Sequence, residues 1–87
     1  MAKLIPFGGK APLVDPTAFL APGAVLIGDI EIGAEASIWY NCVLRGDVNH
    51  IRIGARTNVQ DGTVLHVDSP RPGSPAGLPT IIGEDVL

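Results

Sequence analysis

An all-β fold, in which short parallel strands wind into stacked triangular turns, is predicted by three observations on the 87 residues of this chain. The first is a repeat: Val14, Leu20, Leu26, Ile32, Ile38 and Leu44 stand six residues apart, and Ile53, Val59 and Leu65 resume the spacing. The second is a companion position, four places after the grid residues, held by Ala18, Ala24, Ile30, Ala36, Cys42, Thr57 and Thr63, nearly all of them small. The third is composition: 46% hydrophobic but only 5% aromatic, with 11 Gly and 8 Pro, so the apolar mass is aliphatic and turn formers are frequent. A helix would swing a six-residue stripe by about 240° at each step, leaving no continuous apolar face. A strand-turn unit of six residues keeps one large and one small residue inward. Three units close a coil of about 18 residues, stacked about 4.8 Å above the coil before it.

Taken in order, residues 12–67 form the coils, a little over three in all. Gly28, Gly33, Gly54, Gly83, Asn41 and Asn58 are the expected bends. From Leu44 to Ile53 the spacing stretches from six residues to nine, which places a short three-residue loop within GDVNH, near 46–50. Between Leu65 and Ile82 comes the longer excursion VDSPRPGSPAGLPT, with four of the prolines; 68–80 reads as a mobile surface loop, its other reading being a lid or partner contact. Residues 81–87 start the next coil. The whole chain, 1–87, is thus one partial β-helix domain without a C-terminal cap.

Counting along the grid also stacks side chains. Arg45 and His66 each follow a grid residue, one coil plus the three-residue loop apart, and so project from one face on successive rungs. Gln60 holds the equivalent place on the adjacent face, and Asn58 and Gln60 flank inward Val59, both pointing out. Trp39 and Tyr40 follow inward Ile38 and are expected to cover a subunit face. Cys42 fills a small inward corner as packing, and His50 reads as a surface loop residue.

Several classes of function are excluded. Six Lys and Arg against nine Asp and Glu give a net charge of -3, which argues against nucleic acid and anionic membrane surfaces as partners. No run approaches the roughly 18 apolar residues of a membrane span, and MAKLIPFGGKAP lacks a signal peptide's apolar block, so a soluble, cytoplasmic protein is expected. A single Cys makes neither a disulfide framework nor a cysteine zinc cage. A lone core of this size sits near the lower limit of independent stability, so partner chains are expected.

The stretch IGDIEIGAEASIWYNCVLRGDVNHIRIGARTNVQDGTVLHVD resembles the front half of the γ-class carbonic anhydrases and their relatives, the hexapeptide-repeat left-handed β-helix proteins, with the likeness running over about residues 12–87. LRGD, IRIGARTNVQDGTVLH and PTIIG are more specific than the hexapeptide pattern, which many acyltransferases share. The left-handed coil is implied by this resemblance alone, since crossover physics by itself favours the right hand. The resemblance further implies reversible hydration of carbon dioxide to bicarbonate by a metal-bound hydroxide at the interface of a homotrimer. It makes His66 the first of three histidine ligands to a catalytic metal, usually zinc and in some members iron or cobalt. Zinc held by three neutral imidazoles keeps its charge and lowers the pKa of bound water to about 7. Asn58 and Gln60 match residues that hydrogen-bond the metal-bound solvent or bicarbonate. Arg45, Asp47 and Asp61 match a charged cluster between subunits, which makes Arg45 a candidate both for catalysis and for the interface.

Relatives carry the second and third histidines in a GH-x-x-x-x-H stretch shortly after PTIIGEDV, past Leu87. The chain is therefore expected to be a fragment, a truncated product or an N-terminal half awaiting a partner, inactive by itself. Two other readings stand beside the carbonic anhydrase one. The first is a non-catalytic trimeric scaffold or assembly subunit. The second is a hexapeptide acyltransferase with His66 as general base and coenzyme A in a subunit cleft.

Overall fold

A computed structural model describes residues 1–87 and contains nine strands and no helix: β1 Lys3–Ile5, β2 Leu13–Val14, β3 Phe19–Leu20, β4 Val25–Ile32, β5 Ser37–Ile38, β6 Val43–Ile53, β7 Asn58–Val59, β8 Val64–Leu65 and β9 Thr80–Ile82. Every strand pairing is parallel; rungs from β2 onward lie 18 residues apart (Phe19 with Ser37, Val25 with Val43) until the insertion, then 21 (Ser37 with Asn58, Leu44 with Leu65), and 29 across the excursion (Ile53 with Ile82), while β1 precedes its partner by 22 (Lys3 with Val25). The expected solenoid of hexapeptide units follows directly from that register. Its first face carries β3, β5 and β7; its second carries β1, the leading halves of β4 and β6, and β8; its third carries β2, the trailing halves of β4 and β6, and β9.

The grid residues fill the tube. Leu26, Ile38 and Leu44 are fully buried, Ile32, Ile53 and Val59 nearly so, with Ala24, Ala36, Cys42 and Thr57 in the tight corners. Val14, Leu20, Leu65 and Ile82, on the end rungs, are only half-buried against this core. Cys42 is packing, as expected, and its thiol donates to the Gln60 carbonyl at 3.0 Å. Buried Thr57 is satisfied on both sides: its hydroxyl donates to the Gly83 carbonyl and accepts from the Val86 N–H.

The bends lie elsewhere than most of the expected glycines. Backbone φ is positive at Gly23, Glu35, Asn41, Arg56, Gly62 and Asp85, each three residues after a grid position, and also at Gly28. Asn41 and Gly28 are thus bends as expected, whereas Asn58 lies inside β7 and Gly33, Gly54 and Gly83 do not turn the chain. Those three glycines form a column on successive rungs. A Cβ at Gly33 would stand 2.7 Å from the Ala55 nitrogen, and one at Gly54 would stand 2.5 Å from the Gly83 carbonyl carbon. Close stacking, not turning, requires glycine there. Glu35, Arg56 and Asp85 accept a left-handed φ because closure of the triangle demands it, and backbone bonds from Arg56 N–H to Ala34 and from Asp85 N–H to Ala55 hold the corner.

Three boundaries also move. The solenoid begins before residue 12, since β1 adds beneath β4 with Lys3 opposite Val25 and Ile5 opposite Ile27. The segment 46–50 is a bulge inside the continuous strand β6 rather than a free loop: Gly46 faces Gly28 and Ile51 faces Ile30, so the extra residues bow out within an extended backbone. Residues 68–80, expected to be mobile, fold as an antiparallel excursion with paired Asp68 and Leu78 and paired Arg71 and Ser74. No helix is long and apolar enough to cross a membrane.

Candidate functional site at two edges of one face

The predicted site residues fall into two groups, one at each edge of the second face. At the edge where β6 bulges and β8 leads into the 68–80 excursion stand Arg45, Asp47 and His66. Leu44 pairs with Leu65, so Arg45 and His66 lie on successive rungs of one column, both exposed as counted from the sequence. Arg45 Nη1 lies 3.6 Å from Asp47 Oδ2, a long contact between an exposed guanidinium and a half-buried carboxylate at the surface, of small energetic weight. His66 lines an open cleft of about 210 Å³ together with Val67, Asp68, Leu78, Pro79 and Thr80, and its carbonyl accepts from the Thr80 hydroxyl at 2.7 Å.

The opposite edge is the corner between the first and second faces, turned by Asp61 and left-handed Gly62. Gln60 is exposed just before this corner and its carbonyl accepts from the Thr63 hydroxyl at 2.7 Å. Asp61 is exposed and forms no ion pair within the chain. Asn58 is half-buried on β7, where its Oδ1 accepts from Ser37 Oγ at 3.1 Å, and Ser37 in turn accepts from Trp39 Nε1 at 3.0 Å. Trp39 leans on Phe19, with ring centroids 5.1 Å apart.

Two contributors were not foreseen in the sequence. Asn49, in the bulge, donates through Nδ2 to the Asp68 carbonyl at 3.2 Å and the Ala76 carbonyl at 2.8 Å, fastening the excursion beside His66 to the rung below. Gly77 permits that approach, since a Cβ there would collide with the Asp68 carbonyl. The Ser37–Trp39 pair behind Asn58 is the other. An Asn within an insertion and a Ser one rung from an Asn are the only hints the sequence holds. No group of three or more His, Cys, Asp or Glu side chains comes together anywhere in the chain, and His50 lies half-buried in the bulge, its N–H bonded to Asn49 Oδ1. One imidazole at the Arg45 edge does not by itself fit a metal ion.

No protein-family model matches the chain. The chain is 53% identical over 77 residues to gamma carbonic anhydrase 2, mitochondrial, of Arabidopsis thaliana, an alignment covering 88% of this chain and 27% of that protein. It is 44% identical over 69 residues to a carbonic anhydrase of Geobacillus kaustophilus, covering 79% of this chain and 38% of the relative. Among solved structures, a hexapeptide transferase family protein from Anaplasma phagocytophilum superposes with a TM-score of 0.80 at 49% identity, over 94% of this chain and 43% of that one. The chain spans less than half the length of each of these proteins.

Proposed function

Because the chain belongs to the γ-carbonic anhydrase-like family of hexapeptide-repeat proteins, we propose that it is part of a carbonic anhydrase-type subunit whose second face forms the seam of a homotrimer. The observation that carries this reading is the division of the polar set between the two edges of that face. Arg45, Asp47 and His66 stand at one edge, and Asn58, Gln60 and Asp61 at or beside the other. In a closed ring the first edge of one copy meets the second edge of the next, which brings an imidazole, a guanidinium and two neutral amides to one place and gives Arg45 a partner in Asp61. The reaction that fits is the reversible hydration of carbon dioxide to bicarbonate. Asn58 and Gln60 would bind and orient bicarbonate oxygens without adding charge, and Arg45 would attract the anion.

The relatives' names imply a metal, for which zinc is the first choice and iron or cobalt the others. His66 is the imidazole that this chain would bring to the proposed seam, and no group of three or more His, Cys, Asp or Glu side chains stands together within the chain to complete a metal site. The chain alone is therefore expected to show negligible carbon dioxide hydration in stopped flow. Enzyme-like rates with stoichiometric zinc would overturn that. Sedimentation at micromolar concentration should show self-association, and a monodisperse monomer would count against the seam.

A second reading is favoured by the hexapeptide transferase neighbour and by the cleft beside His66: an acyltransferase in which His66 is the general base. Protection of the His66 cleft by coenzyme A would select it, and a trimer that binds neither metal nor coenzyme A would select a scaffold role.

A further inference from the structure

The bonds behind Asn58 fix which way its amide faces. Trp39 Nε1 is a donor only, so Ser37 Oγ must accept from it at 3.0 Å. Ser37 Oγ makes one other bond, 3.1 Å to Asn58, so its single proton goes to Asn58 Oδ1. With its oxygen turned to Ser37, the Asn58 NH₂ group, which makes no hydrogen bond within the chain, is the end left free to donate to a ligand. Trp39 is itself half-buried and held against Phe19 at 5.1 Å and Tyr40 at 6.1 Å between centroids, so the start of the chain of bonds is rigid. The third face has no counterpart, because Glu31 and Arg52 occupy that surface and pair with each other at 3.5 Å.

We infer that Ser37 and Trp39 are positioning residues: they hold the Asn58 amide donor-outward, so that the site selects a ligand presenting oxygen acceptors, such as bicarbonate, and discriminates against one presenting donors. This deepens the proposed function and rests on it for the identity of the ligand. The orientation itself rests only on the two hydrogen bonds.

The test is an amide-detected NMR titration of the 87-residue chain with sodium bicarbonate, against sodium chloride at matched ionic strength. The wild type and Ser37→Thr, which keeps the hydroxyl, should show saturable, bicarbonate-specific shifts of the Asn58 side-chain NH₂. In Ser37→Ala and Trp39→Phe the apparent affinity should fall about five-fold, the worth of one neutral hydrogen bond, with backbone spectra otherwise native. Undiminished affinity in both folded variants would overturn the inference. Exchange of the Trp39 Nε1 proton gives a readout that needs no ligand. It should be slow in the wild type and in Ser37→Thr and faster in Ser37→Ala. Equal exchange in all three overturns the orientation argument. Slow exchange in the wild type without any bicarbonate response supports the orientation and overturns the ligand selection inferred from it, while the carbonic anhydrase reading is judged separately by stopped flow and sedimentation.

Discussion

Leu44 and Leu65 are the same residue type on the same face in the same register, yet Leu44 is fully buried and Leu65 only half-buried. Leu44 has Leu26 on the rung below and Leu65 on the rung above, whereas Leu65 has Leu44 below and no strand pairing above. Val14 shows the mirror situation at the other end, with Ile32 above it and nothing paired beneath. In a coil built from near-identical units, burial is thus conferred by adjacent rungs, and a unit's own sequence only makes it eligible. Leu44→Ala should therefore show the largest effect, a loss of about 2–5 kcal/mol in chemical denaturation, while Leu65→Ala should cost about 1–2 kcal/mol. Equal losses at the two sites would break the comparison.

The glycine column sharpens the same contrast with a smaller effect. Gly54 and Gly83 occupy equivalent places on successive rungs, but a Cβ at Gly54 would press on the backbone of Gly83 and Glu84, while one at Gly83 meets nothing within 4 Å. Gly54→Ala should lower stability by about 1–3 kcal/mol through overpacking. Gly83→Ala, with no left-handed φ to maintain, should be neutral or raise stability by up to about 1 kcal/mol through the less flexible unfolded chain. Thermal melts of the two variants side by side decide the matter. Destabilisation at Gly83 as large as at Gly54 would mean that rung contacts do not govern the column.

What the sequence discloses is what the period carries. Leu26, Ile38, Leu44 and Val59 point inward because a six-residue spacing admits no other continuous face, and Arg45 stands one rung below His66 because counting residues counts rungs. Positions that answer to another rung were less legible. Lys3–Ile5 lies off the grid, and only its pairing with Val25–Ile27 reveals it as part of the coil. Gly33 and Gly54 look like turn formers until the close approach of the rung above is seen, and Glu35 and Arg56 look like poor turn residues until closure of the triangle imposes their φ. At the candidate site, the residue types and faces of His66, Asn58 and Gln60 follow from spacing. The direction of the Asn58 amide does not, because Ser37 reaches it from the preceding rung, 21 residues earlier. The clasp of Asn49 on Asp68 and Ala76 is hidden for the same reason.

The smallest expected effect concerns how the last rung is held. Arg56 Nε and Nη2 donate to Asp85 Oδ1 and Oδ2 at 2.7 and 3.1 Å, joining the corner of the third turn to that of the incomplete fourth. The hydrogen bonding with Arg56 holds the Asp85 carboxyl below its ordinary value, against an opposing effect of burial and with a smaller contribution from the Arg56 charge, and the Arg56 guanidinium is raised in return. A carboxyl whose folded pKa is depressed adds stability above its ordinary titration range and loses it as the pH falls through the depressed value. The melting temperature of the wild type should therefore exceed that of Asp85→Asn at neutral pH, with the gap narrowing in acid below the usual carboxylate range. Both side chains are exposed, so the gap should be small and should shrink further with added salt. Leu44 and its neighbours, which carry no charge, should leave the core's contribution unchanged across the same range. Equal melting temperatures at neutral pH would show that Asp85 holds the rung by its left-handed backbone, where Asn is equally at home, and not by its charge.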